Sequence, residues 1–248
     1  MNTTTMRNWL TARPVAHRGL HDAAAGVFEN TPSAFRAAIA GNYAIECDVQ
    51  ITADGEAMVY HDDALGRLTE GAARLADLSS ADLKRVPFKA TADRMLTLGE
   101  LCELVAGQVT LLIEIKSRFD GDLRLATRTA KVLSGYKGPV AVMSFDPQPI
   151  ALTKVLTPAL TRGLVAQRRD QSADHDTAGA HGINYARYAL AARPQFLAYR
   201  VKDLPSPVPL FAHSVLRLPL LTWTVRTPAD QARAARWADQ IIFEGFRP

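Results

Sequence analysis

From Pro14 to the C-terminus, short apolar runs alternate with helical stretches, and this rhythm restricts the available folds more than any other feature of the chain. Strand-like runs fall at 14–18, 43–50, 109–116, 139–145, 161–165, 196–201, 219–225 and 240–243, with helical patterns at 33–40, 122–133, 148–156, 206–216 and 228–237. Roughly eight strands alternating with helices over 248 residues is the arithmetic of an α/β chain folded as a (β/α)8 TIM barrel. A doubly wound open sheet shares the alternation, but no glycine-rich phosphate loop follows the first run. Two stretches break the rhythm. An Asp54-Gly55 turn leads into a second apolar segment at 57–60, and residues 64–96 lose their period, which predicts a small insertion after strand 2 within one domain spanning 1–248. The stretch 169–195 is expected to be irregular with some helix.

Local signals support the first βα unit. Thr31 is a good N-cap, Pro32 suits the first helical position, and Gly41 stops the helix before the run at 43–50. The apolar content of 48% with 22% charged residues is that of a chain with a packed core. No run approaches the eighteen or so apolar residues of a membrane span, so no stable membrane insertion is expected, and the start lacks the apolar core of a secretory signal. The expected compartment is the cytoplasm, where Cys47 and Cys102 would be reduced core thiols. A net charge of +4, spread along the chain with one Arg168-Arg169 doublet, does not resemble a nucleic-acid tail or a polybasic anchor. A mild positive field favours an anionic small-molecule substrate.

The chemistry concentrates on the second strand, where Tyr43 to Gln50 is an apolar run with two carboxylates in its middle. Strand alternation puts Glu46 and Asp48 on one face and Ile45, Cys47 and Val49 on the other, so Cys47 should pack toward the helices. The same parity puts Leu112, Glu114 and Lys116 on one face of the run at 109–116. Glu46, Asp48 and Glu114 together form an oxygen-rich set suited to a divalent metal, Mg²⁺ or Ca²⁺. His17 and His61 lie at strand ends beside it, where imidazoles serve as acid and base near neutral pH. Arg18 and Lys116 add the fixed positive charge that a phosphate needs. Carboxylates, imidazoles and cations in one place describe phosphoester cleavage. Lys202 is a further candidate for a phosphate contact, whereas His21, His175, His181 and His213 lack such company and are expected at the surface or as caps. Trp223 suits either a barrel-filling role or a wall against the substrate.

These residues also carry a family resemblance. His17-Arg18-Gly19, Glu29-Asn30-Thr31, Glu46-x-Asp48-Val49, Thr52-x-Asp54-Gly55 followed by Val59-x-His61-Asp62, Glu114-x-Lys116 and Trp223-Thr224-Val225 resemble, in order and spacing, the signature of glycerophosphodiester phosphodiesterases. The resemblance implies a TIM barrel with a small insertion after the second strand. It also implies hydrolysis of glycerophosphodiesters to sn-glycerol 3-phosphate and an alcohol, with the same chemistry on a lipid, a lysophospholipase D activity, as the alternative. Carried over by position, Glu46, Asp48 and Glu114 match metal ligands, His17 and His61 the acid–base pair, and Arg18 and Lys116 residues near the phosphate. Glu29 and Trp223 match positions at the substrate pocket. Two positions depart from the pattern: Arg226 follows Val225 where the family commonly has Asn, and the last strand ends Phe243-Glu244 where Thr-Asp is common.

Overall fold

A computed structural model describes residues 9–168 and 182–248. Nine strands run in the order β1 (Val15–Ala16), β2 (Ala44–Ile51), β3 (Ala57–Val59), β4 (Leu111–Ile115), β5 (Val140–Ser144), β6 (Thr161–Ala166), β7 (Phe196–Arg200), β8 (Leu220–Val225) and β9 (Gln240–Phe243). Eight of them pair in parallel, and β1 closes the ring by pairing with both β2 and β9. β3 stands outside the ring as the antiparallel partner of β2, because the Asp54-Gly55 turn returns the chain beside it, with Gly55 at φ 77°.

Helices fill the connections: α1 (Pro32–Ala40), α2 (Ser80–Arg85), α3 (Leu98–Val105), α4 (Arg124–Leu133), α5 (Pro147–Leu156), α6 (Gly182–Ala192), α7 (Pro207–Ser214) and α8 (Pro228–Trp237). The fold is thus the expected (β/α)8 barrel. α1 begins at Pro32, the first helical position expected for it, and Thr31 Oγ1 caps the helix by accepting from the amide of Ala34. The region expected to be irregular with some helix contains α6, and His175 and His181 lie outside the described residues.

Strand parity divides the core as the alternation requires. Ile45, Cys47, Val49, Leu111, Ile113 and Ile115 pack outward among helix residues such as Phe35 and Leu101. Ala44, Leu112, Met143, Val165 and Phe196 fill the barrel interior instead. The interior fit is tight at Gly163, where an added Cβ would stand 2.4 Å from the Phe196 ring. Residues 64–96 sit between β3 and α3, with Leu65, Leu75, Leu83, Phe88 and Met95 packed on Met58 and Tyr60 in a cluster of their own. This separate cluster explains why barrel periodicity disappears there.

Candidate active site

The parallel register of β2 and β4 sets Asp48 directly beside Glu114 and Glu46 beside Leu112, so the inward carboxylates of both strands meet at the C-terminal end of the barrel. Catalytic groups of such barrels gather at this end. Oxygen atoms of Glu46, Asp48 and Glu114 lie within 4.8 Å of one another, and all three residues are buried. Burial pushes the Glu46 carboxyl well above its usual range, and the charges of Asp48 and Glu114 push it further. Burial also opposes ionisation of Asp48, but Lys116 and Arg18 outweigh it and hold this carboxyl well below the ordinary value. Lys116 Nζ lies 2.7 Å from Asp48 Oδ1 and donates to Glu114 Oε1 at 2.6 Å.

One buried carboxylate oxygen, Glu46 Oε1, has no hydrogen-bond partner, and Asp48 Oδ1 is met by the Lys116 ammonium. Unpaired buried acceptors are costly. An all-oxygen donor set of this spacing, with an unpaired Glu46 oxygen and only partly compensated negative charge, fits a hard divalent cation.

The turn after β1 aims the first histidine and the arginine. Arg18 and Gly19 both adopt positive φ, 57° and 81°, and a Cβ on Gly19 would stand 2.8 Å from that of Ala34 in α1. This reversal points the Arg18 amide at Glu46 Oε2, to which it donates at 2.8 Å. His17 Nδ1 lies 2.5 Å from Glu244 Oε2, at the end of the neighbouring β9. An ionised carboxylate only accepts, so Nδ1 carries the proton and Nε2 is left for the substrate. Burial lowers the His17 pKa below its usual value, with Glu244 opposing the shift. Glu244 itself is held far below the ordinary carboxylate range, because His17 and His21 outweigh the effect of its burial.

His61 follows β3 and is oriented in the same way, with Nδ1 2.7 Å from Asp62 Oδ1. Its carbonyl accepts from Gln50 Nε2 at 2.8 Å. Asp62 is gripped in turn by Arg67, whose Nε donates to Oδ2 at 2.6 Å. The same guanidinium donates through Nη2 to Glu29 Oε1 at 2.6 Å, and Glu29 Oε1 also accepts from Arg18 Nη1 at 2.8 Å. Arg18 Nε lies 3.3 Å from Asp48 Oδ2. A continuous series of ion pairs therefore connects His61 to the carboxylate cluster through Asp62, Arg67, Glu29 and Arg18.

The cavity above these groups measures about 400 Å³ and is lined by His17, Arg18, Glu46, His61, Glu114 and Lys116 on one side. Met143, Phe145, Val165, Arg200, Lys202 and Trp223 line the other. The Trp223 indole N–H donates to the carbonyl of Ala198 at 3.1 Å, and its ring meets Phe145 edge-on at 5.5 Å, so it both packs on the barrel interior and walls the cavity. Lys202 also lines the cavity.

Two placements differ from the sequence reading. Glu29 does not line the cavity, because Arg18 and Arg67 occupy its oxygens, and it acts on the site from behind Arg18. His21, expected at the surface, turns inward to place Nε2 3.7 Å from Glu244 Oε2. The two departures from the family pattern meet each other, since Arg226 Nε donates to Glu244 Oε1 at 2.6 Å. In the sequence reading Asn30 stands only within the Glu29-Asn30-Thr31 motif, and no role is assigned to it, to Arg67 or to Arg200. Asn30 adopts φ 56°, which Asn tolerates, and its amide donates to Asp48 Oδ2 at 2.9 Å. His213 contacts Asp239 on the outside of the barrel, in keeping with the expectation for it.

Residues 17–244 match the model of the glycerophosphoryl diester phosphodiesterase family. The chain belongs to that family. Its resemblance to named glycerophosphodiester phosphodiesterases runs along much of the sequence. It is 32% identical over 163 residues to the enzyme of Caldanaerobacter subterraneus subsp. tengcongensis, a stretch covering 62% of this chain and 66% of that one. It is 26% identical over 255 residues to the enzyme of Bacillus subtilis, covering 94% and 83%. Among solved structures, an Oleispira antarctica phosphodiesterase in complex with the product sn-glycerol-3-phosphate superposes with a TM-score of 0.77 at 18% identity, covering 95% of this chain and 94% of that one. The Thermotoga maritima glycerophosphodiester phosphodiesterase superposes with a TM-score of 0.71 at 24% identity, covering 93% and 94%. At these identities the structural likeness concerns the barrel. The chain is a phosphodiester hydrolase of this family, and its site must be argued from its own residues.

Proposed function

We propose that this phosphodiesterase hydrolyses water-soluble glycerophosphodiesters to sn-glycerol 3-phosphate and an alcohol, in a single barrel domain that carries residues 64–96 as an insertion. The observation that carries this reading is the convergence of His17 and His61, each with Nδ1 on a carboxylate, upon one cavity that also exposes Arg18 and Lys116. Glu46, Asp48 and Glu114 would hold a divalent cation, Mg²⁺ or Ca²⁺. Once bound, such an ion neutralises phosphoryl charge and polarises the phosphorus–oxygen bonds.

Arg18 and Lys116 orient the phosphate and balance the negative charge that grows on its oxygens in the transition state. The free Nε2 of one histidine takes the proton of the attacking oxygen, and the other histidine delivers a proton to the leaving alkoxide. Glu244 and Asp62 hold the Nδ1–H of both rings, so the base is the neutral ring that accepts at Nε2 and the acid is the imidazolium that delivers its Nε2 proton. Trp223 walls the pocket opposite. The lipid alternative is not favoured, because among the described residues none of the exposed large apolar side chains lines the cavity. Two buried, unbridged thiols support a cytoplasmic setting.

The test is release of glycerol 3-phosphate from glycerophosphocholine and glycerophosphoethanolamine by purified protein with Mg²⁺ or Ca²⁺. Turnover that EDTA stops supports the reading; absence of product from every glycerophosphodiester overturns it. The two histidines are told apart with a p-nitrophenyl ester, whose leaving group needs no proton. That substrate restores turnover to the variant lacking the acid and not to the variant lacking the base.

A further inference from the structure

The charge that reads as evenly spread along the chain is unevenly divided in the fold. Residues 1–146 carry sixteen Lys and Arg against eighteen Asp and Glu, whereas residues 147–226 carry ten against four; of these ten, Lys154, Arg187, Arg193 and Arg217 belong to the outer helices or their ends, while Arg200, Lys202 and Arg226 line the cavity. This second stretch supplies α5, α6 and α7. Among the described residues it also contains every exposed large hydrophobic side chain: Val155 and Leu156 at the end of α5, Leu190 in α6, and Val208, Phe211, Val215 and Leu216 along and just beyond α7. On α7 the exposed apolar positions recur at helical spacing, so they form one outward stripe. Large apolar residues gathered on an outer face mark an interaction surface when they are contiguous.

Each part of the set has a cation beside it. Lys154 precedes Val155 and ties α5 to α6 by donating to the carbonyl of Ala191 at 2.9 Å. Arg187 stands one turn before Leu190, Arg193 follows it by three residues, and Arg217 follows Leu216, all three exposed. α5, α6 and α7 contain no Asp or Glu. The one described acid between Pro147 and Arg226, Asp203, lies at the other end of the barrel, where it accepts from the backbone amide of Arg168. Asp239 reaches the α7 side but is engaged by His213 and the amide of Leu220.

We propose that this face docks on an anionic lipid surface. The apolar side chains enter the interfacial zone while the surrounding cations meet the headgroup phosphates, the arrangement by which peripheral proteins bind membranes without spanning them. A second copy of the chain fits the face less well, because like cations would be brought together. Helices of the barrel run back from the mouth. Val155, Leu156, Leu190, Val215 and Leu216 therefore gather toward the end opposite the cavity, so the docked enzyme keeps its mouth open to soluble substrate.

The experiment is co-sedimentation of the full chain with vesicles of equal parts phosphatidylglycerol and phosphatidylcholine, beside vesicles of phosphatidylcholine alone. The expected result is binding to the anionic vesicles that weakens with added salt, and little binding to the neutral ones. Phe211→Asp/Leu216→Asp should abolish it, with turnover of soluble substrate in the absence of vesicles unchanged as the control for folding. Arg187→Glu/Arg217→Glu leaves the apolar stripe intact and should weaken binding by at least about fivefold for each cation lost. Failure to bind anionic vesicles, or equal binding to neutral ones, overturns the proposal. So does a concentration-dependent dimer that Phe211→Asp/Leu216→Asp dissolves, which would assign the face to a second copy.

Discussion

The two sides of the barrel mouth are built on different principles. The β1, β2 and β4 side is a lattice of charge, in which His17, Arg18, Glu46, Asp48, Glu114 and Lys116 are buried or half-buried and hold one another in place. The side from β5 to β8 presents Met143, Phe145, Val165 and Trp223, with Arg200 and Lys202 at the rim. Charges on the first side contact several others, so changing one moves its neighbours. On the second, the apolar groups shape space and can be altered with local consequences. Under the proposed function this is a division of labour: chemistry on the charged side, recognition on the other.

The sharpest way to break this division is to remove an imidazole. His17→Ala and His61→Ala should each lower kcat by roughly 10²–10⁴-fold, the usual worth of a general acid or base, with the fold unchanged by circular dichroism. Retained turnover in either variant would move the chemistry elsewhere. Glu244→Gln comes next. Glu244 raises the His17 pKa against the lowering effect of burial, so its neutralisation should let that pKa fall further. The limb of kcat/KM that reports His17, the acid limb if it is the base and the alkaline limb if it is the acid, should move to lower pH, with kcat down by roughly tenfold to a hundredfold through loss of the ring's anchor. Movement of that limb to higher pH would refute the pairing.

Arg67→Ala tests whether the series of ion pairs matters to catalysis. The side chain is 45% exposed, so solvent screens part of its effect. A fall in kcat of about tenfold with KM nearly constant is expected, and partial recovery in Arg67→Lys, since Lys keeps the charge but not the forked contact. Trp223→Phe should have the smallest effect, a KM raised by a few-fold at unchanged kcat, as expected of a wall that binds substrate and transition state alike. A large loss of kcat there would erase the distinction between the two sides.

The charged side was largely legible in the sequence because strands encode it simply. Glu46, Asp48 and Glu114 announce themselves as acids at inward parity within apolar runs, and Cys47 as their outward neighbour packed against helices. The same rule recovered the barrel. What the sequence did not disclose are contacts made from irregular segments. Arg67 belongs to a stretch without period, and its reach to both Glu29 and Asp62 depends on how residues 64–96 fold over β3. Glu29 was read as a pocket residue because nothing local shows that two guanidiniums occupy it. The pairing of Arg226 with Glu244 spans two strand ends, so each looked like a separate anomaly until the register of β8 and β9 set them side by side.

At the centre of this account is the carboxylate cluster as a cation site. Calorimetric titration of the purified protein with Mg²⁺ and Ca²⁺, beside Glu46→Gln/Glu114→Gln, tests it most directly. The account predicts saturable binding of one ion per chain, with that binding lost in the double variant while its fold persists. Equal binding by the two proteins, or none by the native chain, would contradict it.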